Sequence, residues 1–302
     1  MSMAFGELTA HAVGSLMKEA VRRAMVAIRA ERFSFEAKVK GVGPGGSPDL
    51  VTTADRAAQR VFVKLLGDWF PTYGVVAEED QLSVPCTEPD RDLWWTVDPL
   101  DGTKAFVRRQ SHGIGTMLAL VCDGKVVAAC VGDIMTQEVY ALRPHDDAVY
   151  RISEFGFAER LAVDTSRSLD SQWILLRDRP SSYSRMIRKL SVGKRPLFGD
   201  YGITGGSVGV SMARLWKGEV GAQVIRPGQV SPWDLCPVVG MSRKLGFVFV
   251  DLDPDPDSLD ARRIRLAEPA ITRGPQEIER ELLIIHESRL GDLERWMAGS
   301  GS

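Results

Sequence analysis

The sequence predicts an α+β fold made of two joined halves, and three patterns carry that expectation. Apolar residues recur at helical spacing near the N-terminus. A dense run of β-branched segments with a two-residue turn follows. From about residue 155 strands alternate with helices.

The first element is an amphipathic helix, because Leu8, Ala12, Leu16, Ala20, Ala24 and Ile28 recur every four residues. A Gly/Pro-rich stretch, 41–48, comes next; it reads equally as a segment that closes over a site or as an ordinary surface loop. Thr52, with Asp55 three residues later, forms a capping box with an acid in place of the usual Glu. The helix it opens carries Val61, Phe62, Leu65, Leu66 and Trp69 on one face. Strands are expected over 74–77, 94–97, 116–122, 126–134 and 138–142, with Asp123-Gly124 as the hairpin turn between two of them. This antiparallel run completes a first half, 1–155. The second half, 156–302, alternates strands at 173–176 and 246–250 with helices at 183–190, 207–217 and 233–245. No internal repeat is visible. The acidic run from Asp251 to Asp257 lacks the glycine and the closing glutamate of a calcium loop and contains Pro254 and Pro256. It reads as a solvated turn. The terminal Gly299-Ser300-Gly301-Ser302 reads as a tail without function.

Composition narrows the class. A chain of 302 residues with 44% apolar and 26% charged residues can bury a large core. A formal net charge of −2 gives no footprint for nucleic acid. No run of eighteen apolar residues is present, so no membrane span is expected. Glu7, His11, Lys18 and Glu19 interrupt any apolar leader core. Cys86, Cys122, Cys130 and Cys236 show no C-x-x-C pairing, which reads as reduced thiols in a cytoplasm. The histidines His11, His112, His145 and His286 are scattered, which argues against a zinc site or a phosphohistidine intermediate.

The densest chemistry lies in Val97-Asp98-Pro99-Leu100-Asp101-Gly102-Thr103-Lys104. An apolar strand runs into two carboxylates three residues apart, stiffened by Pro99. Two hard oxygen ligands at a strand's mouth suit a divalent cation such as Mg²⁺. Gly102 and Thr103 then offer backbone N–H groups and a hydroxyl at a helix start, which suits a phosphate oxygen. Taken alone the segment also reads as a capped turn. Three further blocks stand with it: Thr52 to Asp55, the acids Glu78-Glu79-Asp80 after a strand, and Trp233-Asp234 at a helix start. Capping or solvation accounts for each singly.

In their order and spacing these blocks resemble the lithium-sensitive, magnesium-dependent phosphatase superfamily of inositol monophosphatases, fructose-1,6-bisphosphatases and 3'(2'),5'-bisphosphate nucleotidases. The resemblance runs from about Asp49 to Gly246. It implies stacked layers of helix and sheet, an αβαβα sandwich, with the site between the halves: the first carries most of the ligands and the second supplies Asp234. It implies two or three Mg²⁺ ions. Glu78, Asp98 and the carbonyl of Leu100 match the ligands of the first, and Asp98, Asp101 and Asp234 those of the second. Glu79 matches an acid holding water or a further ion. Asp55 and Thr103 match the pair that orients the attacking water, and Gly102 and Thr103 the phosphate cradle. The implied activity is hydrolysis of a phosphate monoester by a metal-activated water. Homodimers are common among such enzymes.

Substrate choice rests on fewer residues. Inositol monophosphatases usually carry an acid on the strand before the Trp-Asp; here that region reads Gln223-Val224-Ile225-Arg226. Arg226 at that place suits a second anionic group. Lys104, followed by Phe106, looks more like the nucleotidase branch. 3'-Phosphoadenosine 5'-phosphate and inositol or sugar monophosphates are therefore rivals, ahead of fructose-1,6-bisphosphate and histidinol phosphate. Arg185, Arg188, Lys189, Lys194 and Arg195 form a basic stretch that reads as a solvated face. Some members of the superfamily bind partners, including transcription machinery, so a metal-dependent binding or regulatory protein is the alternative class. A nucleotide loop, G-x-x-x-x-G-K-[ST], is absent.

Overall fold

A computed structural model describes residues 5, 8–42, 46, 48–252 and 264–299. In chain order, helix α1 (Ala10–Glu31) is capped by Thr9 and leads into a hairpin of β1 (Ala37–Val42) and β2 (Pro48–Thr52). Helix α2 (Thr53–Trp69) follows. Then come β3 (Gly74–Ala77), β4 (Ser83–Val84), β5 (Leu93–Asp101), the short helix α3 (Thr103–Val107), β6 (Gly115–Cys122), β7 (Lys125–Asp133), β8 (Val139–Leu142), β9 (Val149–Ile152) and β10 (Ala158–Arg160). The remainder is β11 (Trp173–Leu176), α4 (Arg185–Ser191), β12 (Asp200–Ile203), α5 (Val208–Trp216), β13 (Ala222–Ile225), β14 (Gly228–Val230), α6 (Pro232–Lys244), β15 (Phe247–Leu252), β16 (Ile264–Leu266), β17 (Gln276–Ile278), β18 (Leu282–His286) and α7 (Leu290–Gly299).

Two sheets organise these elements. The first has eight strands in the order β10-β9-β8-β7-β6-β5-β3-β4, antiparallel except for β3 beside β5. The second has six, in the order β12-β11-β13-β18-β15-β16. Side chains alternate across a strand, so each sheet has two faces to cover. Consecutive Trp94 and Trp95 on β5 show the consequence. Trp95 packs with α1 and α2 residues such as Met17, Ile28 and Phe62. Trp94 packs with Met212, Trp216 and Val239 from α5 and α6. The far side of α5 and α6 meets Leu175, Phe249 and Ile284 of the second sheet. That sheet's outer face, with Ile174, Val224 and Leu283, is covered by Ile187 and Leu190 of α4 and Leu293 and Met297 of α7. The layers are helix, sheet, helix, sheet, helix: the expected αβαβα sandwich.

Where expectation and structure differ, the cause is local. The 41–48 stretch is narrower as a loop, because Gly41, Val42 and Pro48 belong to the hairpin strands; residues 43–45 and 47 lie outside the described residues. The Asp251 run was expected in solvent, yet Asp251 is buried on β15 and paired with Arg265 and Arg280; 253–257 lie outside the described residues. So do Ser300 to Ser302, while Gly299 ends α7. All four cysteines are free thiols. Among the described residues no helix is long and apolar enough to cross a membrane.

Candidate active site

Backbone register brings the acids together. Strands β3 and β5 run parallel with Ala77 beside Val97, so Glu78, just past the end of β3, lies beside Asp98 on β5; the Glu78 amide donates to the Val97 carbonyl at 3.2 Å. Along β5, Asp98 faces Met117 but Asp101 faces Gly115, so β5 carries one extra residue between them. In a regular strand residues three apart point to opposite faces. The bulge removes that offset and lets both carboxylates point the same way. Asp234 comes from the other half, in the first turn of α6 behind Ser231 and Pro232. A carboxylate there is favoured by the helix dipole. Ligand oxygens of Asp98, Asp101 and Asp234 all lie within 4.8 Å of one another.

Asp101 is held rigidly across the two halves. Ser207 Oγ and the amides of Val208 (3.0 Å) and Gly209 (2.8 Å), at the start of α5, all donate to its carboxylate. The chain reverses sharply to allow this. Gly102 sits at φ +92°, and a Cβ there would lie 2.4 Å from the Gly113 carbonyl and 2.7 Å from the Ser207 amide. Only glycine fits that left-handed, crowded position. Gly102 is the N-cap of α3, which presents Thr103 and then the half-buried Lys104.

The capping box at Thr52 forms as expected, but Asp55 does more than cap. Its Oδ2 accepts from the Thr52 amide at 2.8 Å, while Oδ1 accepts from Thr103 Oγ1 at 3.0 Å. Thr103 Oγ1 also lies 3.1 Å from the Leu100 carbonyl. Of the acid triplet, Glu79 is buried, Glu78 half-buried and Asp80 turned out to solvent at φ +56°. Gln59 clamps the Glu79 backbone, accepting from its amide at 2.9 Å and donating to its carbonyl at 2.8 Å.

So many buried carboxylates cannot all stay charged without cations. Burial, then repulsion from Glu78, Asp101 and Asp234, pushes Asp98 well above the usual carboxylate range. Burial and the charges of Asp101 and Glu78 lift Asp234 to about 8. Asp55 rises to about 6, mainly through burial. Glu78, Glu79 and Asp101 are raised as well, with burial the leading cause each time. Asp98 Oδ1 is buried and has no hydrogen-bond partner among the described residues. A buried charged oxygen without a partner is costly and marks a place for a ligand. Oxygen-only donors, no histidine nearby and an orphaned carboxylate oxygen fit a hard divalent cation. His11, His112 and His145 are exposed, and His286 packs edge-on to Phe247.

Of the residues expected to choose the substrate, Lys104 follows Thr103 half-buried and Arg226 is exposed. Arg226 pairs with Asp178 and lies over the Tyr183 ring at 5.6 Å. Arg177, at the end of β11, is close enough that its charge lowers the pKa of both Asp101 and Asp234. Arg185 and Arg188 on α4, with Lys194 and Arg195 after it, are exposed, and Lys189 is half-buried. Sequence reasoning missed Arg177, Ser207 and Lys40. Lys40 Nζ lies 2.7 Å from an oxygen of Glu78 and 2.7 Å from one of Glu79. A cation just past an apolar strand was the available signal for Arg177, and a helix start the signal for Ser207. Lys40 gave none.

The model of the inositol monophosphatase family matches residues 10–287. The chain belongs to this family. Among curated relatives, the Nus factor SuhB of Vibrio cholerae is 36% identical over 95 residues, 32% of this chain and only 34% of the relative's length. The inositol-1-monophosphatase of Synechocystis is 24% identical over 256 residues, 82% of both chains. A solved IMPase/NADP phosphatase in complex with NADP and Ca²⁺ superposes with a TM-score of 0.69 over 96% of each chain at 18% identity, which shows a shared fold.

Proposed function

We propose that this family member is a Mg²⁺-dependent phosphoric monoester hydrolase acting on a small phosphorylated metabolite. The observation that carries the proposal is the Asp98, Asp101 and Asp234 cluster with its unpartnered buried oxygen. Glu78, Asp98 and the Leu100 carbonyl would hold one ion, and Asp98, Asp101 and Asp234 another. When bound, the ions would neutralise the phosphate's charge and acidify a water.

The chain's own residues supply the rest. Thr103 Oγ1 donates its proton to Asp55, which leaves its lone pairs to accept from a water and aim it. Asp55, raised to about 6, is poised to take up that water's proton near neutral pH. Gly102, left-handed at the N-cap of α3, turns the chain so that the first amides of that helix would hold a phosphate. The charge of Arg177 near Asp101 and Asp234, with the exposed Arg226, supports an ester with a second anionic group, so 3'-phosphoadenosine 5'-phosphate stands beside inositol and sugar monophosphates in this reading, with fructose-1,6-bisphosphate and histidinol phosphate behind. The solved neighbour holding NADP supports keeping nucleotide esters in the panel. A cytoplasmic location, a homodimer, inhibition by lithium and a division into halves near residue 155 belong to the same proposal.

A second reading is favoured by relatives named Nus factor: a regulatory protein in which hydrolysis is incidental. Phosphate release from these esters, with Mg²⁺ and with EDTA, separates the two. Metal-dependent turnover supports the hydrolase. No turnover, with metal bound, leaves the regulatory protein.

A further inference from the structure

We propose that Lys40 occupies, with its own ammonium, the place between Glu78 and Glu79 where a further divalent ion would bind, so that this site takes two ions and not three. The inference rests on the metal-site reading above and adds a count to it.

Lys40 reaches the acids because of its backbone. The β1–β2 register jumps between Val39, opposite Leu50, and Gly41, opposite Asp49, leaving Lys40 as the bulged residue. A bulge bends the strand locally and re-aims a side chain. Strand β1 is otherwise exposed along its whole length, so no apolar burial draws it towards the site. Its Lys40 side chain is nonetheless 23% exposed, against a Glu79 carboxylate only 3% exposed. The pair is therefore far more desolvated than an ordinary surface ion pair, and losing the cation would leave an uncompensated buried charge.

The geometry is that of a bridging cation. One ammonium lies equally close, 2.7 Å, to one oxygen from each of two consecutive residues. Gln59 fixes the Glu79 backbone from both sides, and the Glu79 side chain is buried where it meets Lys40. The bond to Lys40 uses a single oxygen of Glu78 and leaves the other for an ion shared with Asp98. Charge balance agrees. Before a phosphate binds, two divalent ions together with Lys40 and Arg177 would offset the carboxylates of Asp55, Glu78, Glu79, Asp98, Asp101 and Asp234, so Lys40 supplies part of the charge that a third ion would otherwise bring.

The test counts bound ions, using Mn²⁺ as the probe and electron paramagnetic resonance to measure the free ion. The whole protein should bind two Mn²⁺ per chain at saturation. Lys40→Met, which keeps the stem and removes the charge, should bind three. Lys40→Arg, which keeps the charge, should bind two and controls for damage to the hairpin. Three ions in the unaltered protein, or two in Lys40→Met, overturns the inference while leaving the metal site intact. No Mn²⁺ bound by the unaltered protein overturns the metal-site reading itself.

Discussion

Replacing Asp98 by Asn should strengthen the metal-free protein and weaken its response to metal. Asp98 is surrounded by Glu78, Asp101 and Asp234, and its own Oδ1 has no hydrogen-bond partner among the described residues. Two unit charges 4.8 Å apart repel by about 3.5 kcal/mol at an effective dielectric constant near 20. The oxygens lie no farther apart than that, so fully charged pairs repel at least this strongly, and a proton on the cluster relieves part of it. Asn removes the charge, keeps the shape and adds an amide donor towards its carboxylate neighbours. In EDTA the variant should be at least as stable as the parent. Its advantage should grow between pH 7 and 9, as Asp234, lifted to about 8, ionises. In saturating Mg²⁺ the order should reverse. A ligand at a hundred times its dissociation constant adds about 2.7 kcal/mol, and the variant forgoes most of that. Urea unfolding followed by tryptophan fluorescence, with and without metal, reads both limbs. A variant less stable in EDTA at pH 9, or one gaining as much from Mg²⁺ as the parent, would refute this reasoning.

Other expectations follow from the same geometry. Asp55 and Asp234 have folded pKa values of about 6 and about 8, above the 3.8 of a free carboxyl. A raised acid stabilises the fold below its unfolded pKa and loses that contribution as pH rises through its folded one. The metal-free protein should therefore lose stability from pH 4 to 8, Asp55 alone contributing about 3 kcal/mol; a melting temperature flat or rising over that window contradicts the assignment. Gly102→Ala forces a Cβ to within 2.4 Å of a carbonyl at φ +92°. It should cost on the order of 1–3 kcal/mol and reduce turnover more than it reduces stability, and near-parental kinetics would remove Gly102 from the phosphate cradle. Arg226→Glu should raise KM for a bisphosphate substrate several-fold while sparing a monophosphate, measured as the ratio of kcat/KM values; an equal effect on both would show Arg226 to be scaffolding for Asp178.

Much of this molecule was legible because its chemistry sits in contiguous strings. The apolar strand ending in Asp98-Pro99-Leu100-Asp101 announces both a buried central strand and a ligand pair, and β5 is indeed buried throughout. Strands 74–77 and 173–176 fall where the apolar runs put them, because strands buried along most of their length need nearly continuous apolar sequence. Within the hairpin β1–β2 the sequence shows only the Gly/Pro-rich stretch 41–48, because the short alternation Ala37-Lys38-Val39-Lys40 buries nothing and gives no core signal. Strands such as β10, β14, β16 and β17 are three residues long, too short for any period to show. Helix α7 carries only Leu293 and Met297 inward, a faint signal near the chain's end. At the site, the acids could be found because carboxylates in apolar surroundings are unusual. Lys40 could not, because a lysine in a polar strand is ordinary until a one-residue bulge aims it. Ser207 was visible as a helix start, but its grip on Asp101, 106 residues away, is a tertiary fact.

The most direct test of the central claim is phosphate release by the purified protein. The panel would be 3'-phosphoadenosine 5'-phosphate, inositol-1-phosphate, fructose-1,6-bisphosphate and histidinol phosphate, each in Mg²⁺ and in EDTA, beside Asp98→Asn. The account predicts release from at least one ester in Mg²⁺ alone. Loss of an acid ligand, several kcal/mol of transition-state charge stabilisation, should slow that release on the order of a thousandfold. Release that survives EDTA, release undiminished in Asp98→Asn, or no release from any ester would contradict it.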